Sequence, residues 1–424
     1  MPESPQLQST VNHLFRHQAG KVVAVLTHIF GSHNIELAED VVQDTLLTAL
    51  EQWKLKGIPN NPDGWLFIVA KNKALNLIKK QRHHILFGDD DTQILLQSGY
   101  TIETTFNKLA EEELIKDDQL RMMFACCHLE ISEETQITLI LKTLCGFSTA
   151  EIAKTLLTSE DTISKRLYRT KEFFRQQKVK LEIPSLGEIK NRTDAVLNSI
   201  YLIFNEGYNS TNSEELIRKD VIEEAVLLCK LLTQNIHTQL PEVYALMALM
   251  CFHSSRSDSR LTSAGDIILL PMQDRNKWNK KLIAKGNEYM NQAAFGNTIS
   301  TYHIEATIAY EHCHAQSYDK TNWQKILEYY DWLYNISPSQ ITAMNRVVAI
   351  LQLHGADVAL KELEAISDKE KLETYYLYYS LLGEIHSQLY NRNTAQQYFE
   401  KAIGLTQSEA EKKMLQHKIA ALLN

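Results

Sequence analysis

The chain has 424 residues, enough for two or three domains, and its 44% hydrophobic content is sufficient for buried cores. A formal net charge of −8 excludes a surface that is basic throughout, although local basic patches can still bind nucleic acid. No apolar run approaches the roughly 18 residues of a membrane span, and the first residues lack a signal-peptide pattern. These features predict a cytoplasmic protein with no membrane partner.

The chain has only 15 glycines and eight prolines, and long stretches repeat their apolar residues with the period of an α-helix. This pattern predicts an all-α fold. The cysteines are unevenly spaced, which favours buried free thiols over a disulfide framework. They are Cys126, Cys127, Cys145, Cys229, Cys251 and Cys313.

The first informative helix runs through residues 35–53, where apolar residues that include Leu50 mark one face. Asp40, Gln43 and Asp44 stand at i, i+3 and i+4, so they share the opposite face and form an acidic strip. A strip of this kind is a docking surface or, more commonly when a helix is viewed alone, a solvated face.

A second helix opens after a loop at residues 56–61. Asn61 suits the N-cap, Pro62 suits the first helical position, and Asp63 complements the helix dipole. Trp65 near its start and a basic polar side suit a phosphate backbone and unpaired bases, although basic amphipathic helices are common. The basic residues are Lys71, Lys73, Lys79, Lys80 and Arg82.

Charge then changes sign along the chain. Residues 89–118 are strongly acidic and include Asp89, Asp90 and Asp91, whereas residues 165–180 are strongly basic. Two basic helices flanking an acidic connector are unusual for a uniformly solvated surface. An acidic connector of this kind can mimic nucleic acid.

Residues 118–175 show a helix-turn-helix pattern. Ser148 and Glu151 form a capping box at the start of the middle helix, and residues 161–174 form the second, recognition helix. Ile163, Leu167 and Thr170 are expected to face inward. The alternative is a plain helical hairpin. Outward residues suited to reading base edges or binding phosphate are Thr162, Ser164, Lys165, Arg166, Arg169 and Lys171.

The order of these motifs resembles the sigma-70 family, in its extracytoplasmic-function (ECF) group. The run A-E-D-V-V-Q-D-T-L-L-T-A-L followed by N-P-D-G-W-L-F-I-V-A-K-N-K resembles sigma region 2, and the helix-turn-helix resembles region 4. The resemblance implies that Asp40, Gln43 and Asp44 dock on the polymerase β′ clamp helices. It further implies contact with the −10 element through the loop, at Lys56, Asn60 and Asn61, and through the helix from Trp65 to Arg82. Region 4 would read the −35 element.

The second half of the chain carries more acidic than basic residues, so a further DNA-binding module is not expected there. The stretches Y-L-I-F-N-E-G-Y at 201–208 and Q-D-R-N-K-W at 273–278 resemble an extension found behind some ECF sigma factors. Near the C-terminus, residues at spacings typical of a 34-residue helix-turn-helix repeat indicate tetratricopeptide repeats. They are Leu382, Gly383, Ala395, Phe399 and Ala402.

No catalytic motif or zinc-spaced ligand pair is found, so we expect no catalytic residue, no metal and no cofactor. Glu206, Asp274 and Arg275 are expected to form an internal network that stabilises the extension.

The resulting prediction is a non-enzymatic sigma factor whose partners are core RNA polymerase and promoter DNA, with a further protein partner on the C-terminal repeats. Alternatives are a helix-turn-helix regulator or repeat-bearing adaptor that does not bind the polymerase core, and an enzyme with a DNA-binding appendage. The predicted domains are region 2 at 1–84, an acidic linker at 85–117, region 4 at 118–182, a helical extension at 183–320 and repeats at 321–424.

Overall fold

The structure is a computed structural model that describes residues 5–80, 112–156, 158–185, 187–209, 216–367 and 372–422. Over these residues the regular structure is helical, with one isolated antiparallel bridge between Leu261 and Ile267. The predicted all-α fold is therefore confirmed. Most of the predicted acidic connector, including Asp89, Asp90 and Asp91, lies outside the described residues.

The chain forms two compact units, and the first comprises Met1–Ile203 with Gln234–Thr238. A 3-10 turn, Ser32–Asn34, joins the first two helices, and α8 (Ile189–Tyr208) belongs partly to this unit. The preceding helices are α1 (Pro5–Phe30), α2 (Ile35–Lys56), α3 (Pro62–Lys80), α4 (Glu112–Cys126), α5 (Glu133–Thr143), α6 (Thr149–Thr155) and α7 (Glu160–Gln177).

Helix α1 is central to this unit because it packs against α2 and α3 on one side and against α4 and α5 on another. Val25 and Leu26 in its second half are buried. At Gly20 the backbone approaches the end of α5 so closely that an added Cβ would lie 1.9 Å from the Leu144 carbonyl oxygen. Only glycine permits this approach, which joins α1–α3 to α4–α7.

The turn between α2 and α3 is defined by local residues. Gly57, with φ of 80°, ends α2, and its N–H donates to the Trp53 carbonyl at 2.9 Å. Asn61 Oδ1 accepts from the Gly64 N–H at 3.0 Å, as an N-cap does. Trp53 and Trp65 then meet edge to face with ring centroids 5.4 Å apart, which orients α3 against α2.

The second unit comprises Phe204–Thr233 and Gln239–Asn424. Its helices after α8 are α9 (Lys219–Gln234), α10 (Pro241–Ser254), α11 (Lys280–Ala293), α12 (Thr301–His314), α13 (Trp323–Ile336), α14 (Gln340–His354), α15 (Ala356–Glu364), α16 (Tyr376–Gln388), α17 (Arg392–Leu405) and α18 (Glu409–Leu422).

Helix α10 is buried on nearly all sides and packs against α11 and α12. From α13 onward, consecutive helices pack in sequence around one apolar core. Gly383 of α16 lies against the Phe399 ring of α17, while Ala395 and Ala402 are buried beside it. The predicted positions therefore meet in one helix pair, and their assignment as tetratricopeptide repeats stays a prediction.

The contact at Gly20 generates a test of the first unit. We expect Gly20→Ala to lower the free energy of unfolding by about 1–3 kcal/mol, because the new methyl group displaces a main-chain carbonyl rather than a flexible side chain. Urea denaturation followed by circular dichroism measures the change. Gly404→Ala in α17 is the control, since a Cβ there meets nothing within 4 Å, and it should cost nothing or stabilise by up to about 1 kcal/mol. Equal effects of the two substitutions would contradict the close approach.

Candidate polymerase and nucleic-acid interface

The acidic strip of α2 is exposed. Asp40, Gln43 and Asp44 all lie on the side of the helix opposite its buried residues, which include Ala38 and Val41. Asp44 Oδ2 is 3.5 Å from the Lys73 Nζ of α3, a surface pair that contributes little stability. All three side chains of the strip are therefore presented to solvent.

Two leucines extend this strip. Leu47 is 58% exposed and Leu50 is 49% exposed, both on the solvent side of α2. Assigning Leu50 to the apolar face from sequence was wrong, because α2 buries a narrower stripe. Leu47 follows Gln43 and Asp44 by one turn, and that spacing was the signal that could have identified it. Exposed leucines beside carboxylates are typical of a protein-binding surface.

The loop and α3 hold the residues predicted for the −10 element. Lys56 and Asn60 are exposed, whereas Asn61 is occupied in capping α3. Trp65 is half-buried against Trp53. Lys71 and Lys73 are half-buried. The structure does not describe the side chains of Lys79 and Lys80, and Arg82 lies outside the described residues.

The helix-turn-helix is built as its sequence predicts. The Ser148 N–H donates to Glu151 Oε2 at 2.8 Å, and the Glu151 N–H donates to Ser148 Oγ at 3.2 Å, which confirms the capping box. Ser159 Oγ caps α7 by accepting from the Thr162 N–H at 3.1 Å. The predicted inward residues Ile163, Leu167 and Thr170 are all buried.

The outer face of α7 presents Ser164, Lys165 and Arg169, while Thr162 and Arg166 are half-buried. Lys165 Nζ forms an i,i+4 pair with Asp161 at 2.6 Å, with both side chains exposed. Tyr168 is 64% exposed on the same face, a residue that sequence reasoning missed. Its position four residues after Ser164 was the available signal, and its ring adds a stacking surface beside the cations.

Lys171 occupies a different environment. Its Nζ is 2.8 Å from Glu39 Oε2 and 3.6 Å from Glu36 Oε1, and the side chain is only 18% exposed. The Arg175 guanidinium lies 3.4 Å from Glu36 Oε2, and the Ser32 hydroxyl donates to the Val179 carbonyl. Lys171 therefore faces α2 in this conformation and is withdrawn from the exposed basic face.

A second polar contact lies between α1 and α4. His28 Nδ1 is 2.7 Å from Asp118 Oδ1, and Arg121 is 3.5 Å from the same oxygen. Asp118 is buried, so removal of its partners would leave a desolvated carboxylate. The α1–α3 and α4–α7 helices thus meet at Gly20 and through two groups of polar contacts.

All six cysteines are free and buried. Burial raises the pKa of the Cys127 and Cys251 thiols to about 12, so neither is a ready nucleophile. The described residues contain no group of three or more His, Cys, Asp or Glu that could hold a metal ion. They likewise include no helix with the length and apolar character needed to cross a bilayer.

The predicted network of Glu206, Asp274 and Arg275 has other partners. The Arg275 guanidinium donates to the main-chain carbonyls of His312 and Ala315, at 2.9 Å for Ala315. Asp274 accepts from the Asn276 N–H at 3.0 Å and so caps its own turn. Arg275 anchors the end of α12 through carbonyl oxygens rather than carboxylates, because helix C-termini leave carbonyls unpaired.

Comparison with known proteins agrees with this arrangement. The model of sigma-70 region 2 matches residues 14–84, and the model of sigma-70 region 4 matches residues 121–174. DUF6596, a family of unknown function, matches residues 192–294.

Relatives fall into two kinds. The ECF RNA polymerase sigma factor SigL of Mycobacterium tuberculosis is 32% identical over 132 residues, which cover 31% of this chain and 68% of SigL. An uncharacterized protein of Rhizobium meliloti is 30% identical over 378 residues, 89% of this chain and 88% of the relative. No solved structure matches.

Two sigma regions in the family's order, together with a sigma factor matched over two thirds of its length, show the family. The chain belongs to the sigma-70 family of RNA polymerase sigma factors, with a role in promoter recognition. The match to SigL covers about a third of this chain, whereas the match to the relative from Rhizobium meliloti covers 89% of it.

Proposed function

We propose that this chain is an ECF-type initiation factor that binds core RNA polymerase through the strip Asp40, Gln43 and Asp44. The loop at 56–61 and α3 contact the −10 element, and α7 reads the −35 element. The observation that carries the proposal is that one unit presents both an exposed acidic strip and a capped recognition helix with exposed Ser164, Lys165 and Arg169. A regulator that used only the helix-turn-helix would have no need of the strip.

Transcription in vitro with purified core polymerase and the full chain tests the proposal. Asp40→Lys with Gln43→Ala should weaken core binding at least about ten-fold, equivalent to about 1.4 kcal/mol, because both residues are on the exposed strip. Arg169→Gln should leave core binding intact and reduce initiation at −35-dependent promoters by about five- to 100-fold. Fluorescence anisotropy with labelled core and run-off assays measure the two effects.

Glu364→Lys is the control for the strip, because Glu364 is exposed on α15 in the other unit. It should leave both core binding and initiation unchanged. Absence of initiation on a panel of promoters by the wild-type chain, with and without residues 185–424, would overturn the proposal.

The contact between α7 and α2 has a consequence for promoter binding. The −10 and −35 elements are about 25 base pairs apart, or about 85 Å along a duplex at about 3.4 Å per base pair. Lys171 Nζ and Glu39 Oε2 are 2.8 Å apart in the first unit. Both elements therefore cannot be read from this conformation, and the ion pairs of Lys171 and Arg175 hold a closed form that opens on the polymerase.

Removal of the carboxylates should favour the open form. In a chain labelled through cysteines introduced at the exposed positions Lys54 and Gln177, Glu36→Gln with Glu39→Gln should lower energy-transfer efficiency, because Lys171 and Arg175 lose their partners. The buried native cysteines are poorly accessible to the dyes.

The charge swap Lys171→Glu with Glu39→Lys should restore the transfer efficiency that Lys171→Glu alone lowers. Asp161→Asn is the control, since it removes a pair within α7 and leaves α2 untouched. Unchanged transfer efficiency in the carboxylate variant would contradict the closed form held by these pairs.

We also propose that the second unit regulates this opening through a ligand or protein partner of its own. The support is indirect: the unit has its own core and an acidic charge balance, and the long relative retains it.

A further inference from the structure

Three arginines converge on two aromatic rings in the second unit. Arg256 and Arg260 follow α10, and Arg275 precedes α11. The Cζ atoms of Arg256 and Arg275 lie 5.3 and 4.6 Å from the centroid of the Trp278 ring, and the Cζ of Arg260 lies 4.0 Å from that of Tyr208. The side chains are half-buried, so like charges are concentrated at reduced solvation.

No carboxylate among the described residues pairs with these arginines. Arg260 donates to the Tyr208 carbonyl and to Asn209 Oδ1, and Arg275 donates to the carbonyls at the end of α12. All of these acceptors are neutral. Asp258, which lies between Arg256 and Arg260 in sequence, is paired instead with Lys219 Nζ at 2.7 Å.

Arg256 differs from its neighbours because its guanidinium makes no hydrogen bond to any described residue, and its Nε is buried. Arg260 and Arg275 are held in position by main-chain carbonyls, whereas Arg256 stacks on Trp278 with its donors unused. A buried donor without an acceptor is destabilising, and more so when the group is charged. A guanidinium group with unused donors is suited to forming two parallel hydrogen bonds with the oxygens of one anion.

Two histidines beside the arginines are also incompletely bonded. The Nδ1 atoms of His253 and His312 are both buried and have no hydrogen-bond partner among the described residues. Burial, and then the charges of Arg256 and neighbouring groups, lowers the pKa of both histidines to about 3. Both rings are therefore neutral at pH 7, and the positive charge of the cluster resides on the arginines. His253 connects to the arginine cluster through Tyr208, with ring centroids 5.0 Å apart.

We propose that this cluster is a binding site for a small ligand bearing a phosphate group, with Arg256 as the bidentate contact. A dianion balances more of the charge of three guanidinium groups than a carboxylate can, and its several oxygens match the unused donors. Arg260 and Arg275 supply fixed positive charge on either side, and the faces of Trp278 and Tyr208 border the site. The ligand would make the second unit a sensor of a phosphorylated metabolite or of phosphate itself.

Isothermal titration of the full chain with inorganic phosphate tests the proposal, in parallel with sodium chloride and acetate at matched ionic strength. We expect saturable phosphate binding, a rise in melting temperature with phosphate, and neither effect with chloride or acetate. Arg256→Gln should weaken phosphate binding at least about ten-fold. Arg256→Lys should weaken it less, because lysine retains the positive charge but not the planar pair of donors.

Arg392→Gln is the matched control, since Arg392 is exposed on α17 and lies outside the arginine cluster. It should bind phosphate as the wild type does. Circular dichroism of Arg256→Gln without ligand should show a folded protein, because the substitution removes like-charge repulsion rather than an ion pair. Adenosine monophosphate provides a second arm, and tighter binding than inorganic phosphate would identify the ligand as a phosphate ester.

A response to phosphate that equals the response to chloride, or that Arg256→Gln leaves unchanged, would overturn the site. Both readouts are independent of polymerase and promoter, so failure of the sigma-factor assays would leave this result intact.

Discussion

The close approach of α1 to the end of α5 is the constraint on which the first unit depends. Gly20 brings its backbone within contact of the Leu144 carbonyl, and no larger residue leaves room for it. The helices that resemble region 2 and the helices that resemble region 4 therefore pack into a single body rather than as two modules on a linker. Helices packed this closely are more easily found in one of two discrete arrangements than gradually separated from each other. The opening that we propose would then be a cooperative step.

Ion pairs between α7 and α2 would make that step selective for a partner that competes for the same cations. Lys171 and Arg175 are paired with Glu36 and Glu39 between α7 and α2. The Arg175–Glu36 pair is exposed and contributes modestly, whereas the Lys171–Glu39 pair is largely buried. Phosphate oxygens of DNA compete for the same cations, and counterion release favours the nucleic acid. In the proposed opening, the carboxylates Glu36 and Glu39 act as internal competitors for the basic residues of α7.

The arginine cluster of the second unit shows the opposite arrangement, because no carboxylate among the described residues pairs with it. Its three arginines contact carbonyl oxygens and aromatic faces, and Arg256 retains unused donors. A protein tolerates such a cluster when an external anion completes it or when solvent reaches the outer atoms. The half-buried position of the side chains leaves that access open. An anion bound there would stabilise the unit by mass action, which gives a physical route from a small molecule to the state of the whole factor.

The sequence by itself determined the all-α fold, the capping box of Ser148 and Glu151, the inward residues of α7 and the exposed strip of α2. These features depend on periodicity and on neighbours within about one helical turn, which a sequence displays directly. Only the tertiary structure decided that Lys171 is paired with Glu39, that Leu50 is exposed and that Arg275 binds carbonyls. It also decided that the Arg256 guanidinium makes no hydrogen bond to a described residue. Contacts between residues far apart in the chain depend on how helices pack, and helical periodicity specifies a buried face without specifying what covers it.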